Sequence, residues 1–326
     1  MAVLNGTHVN NPAIFHKLLT NMNWWEGLIL GLVQGLTEFL PVSSSGHLVI
    51  GERLLGVSKD FGGTTFEVFV HFGTVMSIAV VYFESLRKVV GEGVAGMVQP
   101  MRWRKSWQEM EGFRMAVLIL ISMVPTGLVY ILAKDFIEEK FQSARFASGM
   151  LIITSVLLFL TLIRSRQSGE IKPWKAFLIG LAQSFAMMPG ISRSGSTIAM
   201  ALYLGTKREE AARFSFLMSV PVIVGATLLD LIDIVREGTS IDWLPLVLGM
   251  IAAFASGIFA IRTVMVLVQK GRLHWFAVYC LIAGIAGLIF FSSGTTVKED
   301  GSGNEPGASA RIQRDQVYEE QKYNLL

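Results

Sequence analysis

The stretch QGLTEFLPVSSSGH, residues 34–47, sets polar groups inside an otherwise apolar run. Gln34 and Glu38 are four apart and share one helix face. A carboxylate within a membrane segment is costly unless it is paired or used. The plain alternative is an interfacial, solvated Glu38, because its short helix ends at Pro41. Ser43, Ser44, Ser45 and Gly46 fall where a second helix would begin. Hydroxyls, backbone N–H groups and the positive end of a helix can converge there on an anion. Each serine by itself is better explained as a cap, and only their company with Glu38 and His47 points to a site. Of the histidines His8, His16, His47, His71 and His274, only His47 lies in such a cluster, as a candidate acid, base or nucleophile. His71 reads as a packing or interfacial residue.

A second polar segment, PGISRSGST at 189–197, carries Arg193 among Ser192, Ser194 and Thr197. An arginine in a membrane hairpin demands an anion, and its planar fork suits phosphate. An ion pair with Glu38 is the simpler alternative. A phosphate held by Arg193, with Glu38 beyond it, accounts for more of the serines. No tightly spaced metal-ligand cluster is present. Gln34 and Glu38 alone make only a weak magnesium or calcium site, with Glu38 the candidate ligand. Glu67, Asp230 and Asp233 read as interfacial charges.

The elements that must position these groups are helices. The chain has 326 residues, of which 52% are hydrophobic and 16% charged, with mean hydropathy +0.52. A soluble chain is about 25% charged, so this excess of apolar surface requires lipid. Long apolar runs at 65–83, 113–133, 146–163, 211–234, 244–268 and 275–291 each approach the length of a membrane span. Two more stretches, 24–55 and 173–204, are broken midway by Pro, Gly and serines, and each reads as two half-length helices. These broken stretches align without a gap. Gln34 falls on Gln183, Ser43 on Ser192, Ser44 on Arg193, Ser45 on Ser194 and His47 on Ser196. The next helices echo as well, FEVFVHFG against FSFLMSVP.

The expected fold is therefore all-α and polytopic, a repeat of one re-entrant helical hairpin plus three transmembrane helices. Repeat one covers 24–164 and repeat two 173–291 of a single membrane domain. An odd number of spans inverts the second copy, so the hairpin tips meet near the midplane, where irregular backbone is tolerated around a cavity. Residues 1–23 are a peripheral extension without a secretory signal, with Met22 a candidate start, and 292–326 a disordered polar tail.

Arg87, Lys88, Arg102, Arg104, Lys105, Arg114, Arg164, Arg166, Lys172, Lys175, Lys207, Arg208, Arg213, Lys270 and Arg272 fall on one side of this arrangement. Arg53, Lys59 and Arg236 fall on the other, which puts both termini and the first hairpin outside. The net charge of +3 gives nucleic-acid binding no support. The single cysteine, Cys280, lies in an apolar run as a buried, inert thiol.

The two motifs resemble the undecaprenyl-pyrophosphate phosphatase family, bacterial membrane phosphatases of bacitracin resistance, across about 24–291. The resemblance implies a fold of inverted units with two re-entrant hairpins. It also implies hydrolysis of the terminal phosphate of a polyprenyl pyrophosphate at the outer face of the bacterial plasma membrane. That regenerates the monophosphate carrier for peptidoglycan synthesis, and bacitracin competes for the same pyrophosphate. By similarity Gln34 and Glu38 are the family's paired polar positions, Ser44 and His47 its nucleophile and proton-transfer candidates, and Arg193 its phosphate-binding arginine. Ser43, Ser192, Ser194 and Thr197 match its other polar positions, and Ser45 joins the pyrophosphate-binding set. Gln34 at the first acidic position weakens any mechanism needing two carboxylates. A transporter or flippase for a phosphorylated lipid remains the alternative, since inverted repeats also build transporters.

Overall fold

The computed structural model describes residues 22–55, 63–140, 143–163, 169–237, 243–292, and these are helical almost throughout. Residues 1–21 of the extension 1–23, residues 293–326 of the tail 292–326, Lys59, Arg164 and Arg166 lie outside the described residues, as do His8 and His16. The helices are α1 (Trp24–Phe39), α2 (Ser44–Leu55), α3 (Gly63–Val81), α4 (Phe83–Met97), α5 (Trp103–Glu109), α6 (Glu111–Lys140) and α7 (Ala144–Leu160). They continue as α8 (Pro173–Phe185), α9 (Arg193–Tyr203), α10 (Arg208–Glu237), α11 (Trp243–Gln269) and α12 (His274–Ser292). The described residues up to Phe290 form one compact unit.

Five helices are long and apolar enough to cross a membrane, over Glu111–Ala133, Ala144–Ile163, Arg208–Leu229, Trp243–Gln269 and His274–Phe291. These match the expected runs from 113 onward. The first run, expected at 65–83, differs: its helix stops at Val81 and the chain turns by 89° into α4. Tyr82, at φ −111 and ψ 26, makes the corner. The basic connection between the first two apolar runs is therefore largely helix.

Both broken stretches are pairs of short helices. Leu40 is extended at φ −63 and ψ 139, so α1 ends just before Pro41. Ser43 then adopts φ 70, a left-handed conformation that costs a non-glycine residue about 1–3 kcal/mol. In the second break the positive φ falls instead on Gly190, at 94°. Ser43 and Ser192 each cap the following helix, accepting from Gly46 N at 3.3 Å and Gly195 N at 3.0 Å.

Each short first helix packs on a long helix of the other half of the chain. A Cβ at Gly31 of α1 would strike the Gly249 carbonyl of α11, and one at Gly180 of α8 the Ser122 carbonyl of α6. Small residues permit such approach, and close packing replaces the hydrophobic drive that lipid removes. Thr126 of α6 donates to the Gly180 carbonyl at 3.2 Å, and Gln183 to the Thr126 hydroxyl at 3.1 Å. The main core gathers Phe39, Ile78, Leu118, Ile179, Ile198, Phe214, Phe216, Ile261 and Val264, with Phe39 and Phe216 edge to face at 5.7 Å. It locks α1, α9 and α10 around the two breaks.

Candidate active site

The breaks meet. A Cβ on Gly195 would lie 3.2 Å from the Pro41 ring and one on Gly46 3.0 Å from the Gly190 Cα, so the two capped helix starts are pressed together. Ser194 donates across this seam to the Leu40 carbonyl at 3.1 Å. Each turn is also tied from a long helix: Thr154 of α7 donates to the Gly190 carbonyl at 2.9 Å, and Cys280 of α12 to the Pro41 carbonyl at 3.7 Å.

Glu38 is the centre of the cluster, and only 7% of it is exposed. One of its oxygens accepts from Arg193 Nη2 at 2.6 Å. The other accepts from Ser44 Oγ at 2.6 Å and from Gln34 Nε2 at 3.0 Å. Arg193 is the first residue of α9 and Ser44 the first of α2, so equivalent positions of the aligned stretches deliver a guanidinium and a hydroxyl to one carboxylate. The second arm of Arg193 reaches the Ser215 carbonyl at 3.5 Å. The ion pair weighed as the simpler alternative is therefore present. It is charge-assisted and buried, a setting in which loss of one partner costs about 3–5 kcal/mol.

His47 is not in this centre. Its Nδ1 donates to the Ser43 carbonyl at 2.7 Å, which leaves Nε2 facing the Tyr279 hydroxyl, also at 2.7 Å, with the two rings stacked. His71, read from sequence as a packing residue, instead faces the centre, its Nε2 4.0 Å from Glu38. Its Nδ1 donates to the Glu67 carbonyl at 2.7 Å. Ser43 and Ser45 share a contact at 3.3 Å, as do Ser192 and Ser194, so these four shape the turns. Thr197 bonds the Arg193 carbonyl at 2.8 Å and the Ser215 hydroxyl at 2.6 Å, and so braces the arginine's helix against α10.

Sequence reasoning missed His71, Ser215 and Tyr279. A signal existed for one of them, because the echo of FEVFVHFG with FSFLMSVP sets Ser215 on Glu67. Both residues then offer a carbonyl to a cationic or imidazole side chain of the site. Tyr279 had none, since nothing local ties a tyrosine of α12 to a histidine of α2.

The donor set fits a protein-held metal poorly. Among the described residues no group of three or more His, Cys, Asp or Glu could hold an ion. Both oxygens of Glu38 are already engaged, and Gln34 Oε1 is the one buried acceptor of the pair without a partner. The arrangement suits an anion brought between a guanidinium, two helix N-termini and a hydroxyl that already leans on a base.

These helices and this site define a multi-pass helical membrane protein whose polar centre sits where two broken helices meet. That centre joins a carboxylate and a hydroxyl of the first break to a guanidinium of the second. The chain belongs to the family described as bacitracin resistance protein BacA, matching it over residues 27–286. It is 49% identical over 267 residues to the undecaprenyl-diphosphatase of Salinibacter ruber, covering 82% of this chain and 99% of that one. The undecaprenyl-diphosphatase of Parabacteroides distasonis is 43% identical over 81% of this chain and 97% of its own. That of Halothermothrix orenii is 40% identical over 81% and 96%.

Proposed function

We propose that this chain is an undecaprenyl-diphosphatase in which Ser44 attacks, Glu38 takes its proton and Arg193 holds the phosphoryl group. The protein removes the terminal phosphate of a polyprenyl pyrophosphate, regenerates the monophosphate carrier for peptidoglycan synthesis and so confers bacitracin resistance. One observation carries the mechanism: Ser44 and Arg193 each bond Glu38 at 2.6 Å from opposite breaks.

Ser44 Oγ forms a bond to the terminal phosphorus while its proton passes to Glu38 Oε2, and the bond to the bridging oxygen breaks, releasing the lipid monophosphate. Arg193 turns its fork from Glu38 to the non-bridging oxygens, where charge is spread in the transition state. Gln34 keeps the carboxylate aimed, and water then hydrolyses the phosphoserine with Glu38 returning the proton. His47, held by Ser43 and Tyr279, serves at the leaving group or in that second step.

In this reading the hairpins α1–α2 and α8–α9 re-enter the membrane from opposite faces as an inverted repeat, which the corresponding bonds from Thr154 and Cys280 support. The site opens to the outer face of the plasma membrane, supported by the crowding of Lys and Arg on the opposite connections. Bacitracin competes for the same pyrophosphate.

Phosphate release from polyprenyl pyrophosphate by the purified protein, with and without a chelator, tests the reading and the magnesium or calcium expectation together. Arg193→Ala is expected to lose about a hundredfold or more of activity while still inserting, and Arg193→Lys to recover part of it. Full turnover in Arg193→Ala would remove the arginine from the mechanism.

A further inference from the structure

The corner at Tyr82 turns α4 sharply away from α3. It leaves α3 at 89°, and α3, with 19 residues, rises about 28 Å, close to the hydrocarbon thickness of a bilayer. With α3 taken as the crossing part of this bent pair, a helix perpendicular to it runs along the membrane plane. At 100° per residue α4 has three faces. Gly93 and Gly96 turn to α6, where added Cβ atoms would meet Ala116 and Phe113, and Glu92 accepts from Gly112 N at 2.6 Å. A second face carries Glu84, Lys88, Gly91 and Ala95. The third exposes Phe83, Val90, Val94 and Met97, with Val90 62% and Val94 59% exposed.

The apolar face continues into the following turn, where Val98, Met101 and Trp103 are exposed too. Cations border it. Arg87 pairs with Glu84 at 2.8 Å and Lys105 with Glu109 at 3.8 Å, while Lys88, Arg102 and Arg104 are exposed. A large apolar face edged by Lys and Arg on an in-plane helix is the pattern of interfacial binding, with the stems lying on apolar surface and the charges at headgroup level.

We propose that α4, the turn Pro100–Arg102 and α5 form an interfacial elbow that docks on anionic phospholipid headgroups, its apolar face in the acyl boundary and Lys88, Arg102 and Arg104 on the phosphates. The charge complementarity selects anionic over zwitterionic lipid, and clustered cations next to a span attract such lipid. The proposal stands independently of the phosphatase reading.

The test uses the full chain with Val94→Cys in a Cys280→Ser background, carrying an environment-sensitive dye, in phosphatidylcholine nanodiscs with and without phosphatidylglycerol. The dye is expected to emit in the blue, to resist aqueous iodide and to be reached by a lipid-borne quencher. In parallel, the anionic lipid retained on purification is compared with that on Lys88→Gln/Arg102→Gln/Arg104→Gln. The triple variant is expected to lose its preference by about fivefold per cation at low salt, with catalytic turnover unchanged. Iodide quenching as in a free loop, disulfide dimers through position 94, or equal phosphatidylglycerol retention by both proteins would each overturn the proposal. The dye measurement stands even if the triple variant folds poorly.

Discussion

A short contact between a serine hydroxyl and a carboxylate can be a cap, a solvated accident or a primed nucleophile, and removing single atoms separates these. Ser44→Ala is expected to lower turnover roughly a thousandfold or more, as loss of a nucleophile does. His47→Gln should keep measurable activity, because its ring bonds Ser43 and Tyr279 and not Glu38. Trapped phosphate should be acid-stable, as on serine; an acid-labile adduct at His47 would reverse the assignment, and no adduct would favour direct attack by water. His71 offers a second check. With Nε2 4.0 Å from Glu38, His71→Glu sets two carboxylates side by side, and the repulsion competes with the Arg193 pair. Activity should then fall far more than in His71→Gln, a comparison that steady-state phosphate release makes directly. Equal activities would place His71 outside the electrostatics of the site.

At the scale of the element, the two breaks reach one outcome by different backbone routes. The first places its left-handed residue at Ser43, one residue before α2, and the second at Gly190, three residues before α9. Gly190 is also wedged under α7, where a Cβ would collide with the Ala147 carbonyl. Gly190→Ala thus combines a disfavoured φ with overpacking and is expected to destabilise by about 1–3 kcal/mol, read as a lower melting temperature in detergent. Ser192→Ala removes only a cap and should cost about 1 kcal/mol. If Gly190→Ala proves as stable as Ser192→Ala, the contact with α7 is not what holds the turn.

The whole molecule is held by exchange between its halves: α1 against α11, α8 against α6, and a carboxylate from one break against an arginine from the other. This cross-packing makes the site depend on both halves, so a Gly31→Val change, remote from Glu38, should lower stability by about 1–3 kcal/mol and activity with it. Orientation is a separate prediction at this scale. Single cysteines at Arg53 and Arg104 in a Cys280→Ser background should label from opposite sides of sealed vesicles, Arg53 from outside. Labelling of both from one side would refute the topology drawn from the basic connections.

The alternation of long apolar runs with two broken, alignable stretches determined by itself the membrane class, the helical fold and the pairing of Ser44 with Arg193. Those features are local or periodic, and apolar length and Pro–Gly–Ser punctuation read directly as spans and breaks. Gln34, Ser44 and Arg193 around Glu38 were also legible, because each lies in a short polar motif inside apolar sequence. Tertiary structure alone decided how the members are used. Whether Arg193 meets Glu38 depends on two helix starts being pressed together across a seam between the halves, and no spacing within either motif encodes that approach. The same holds for His47, drawn away by Tyr279, and for His71, turned toward Glu38 when α3 packs in the core. The corner at Tyr82 escaped for a related reason: the apolar run ends there, but nothing local says that the charged stretch after it continues as a helix turned by 89° and packed on α6 through Gly93 and Gly96.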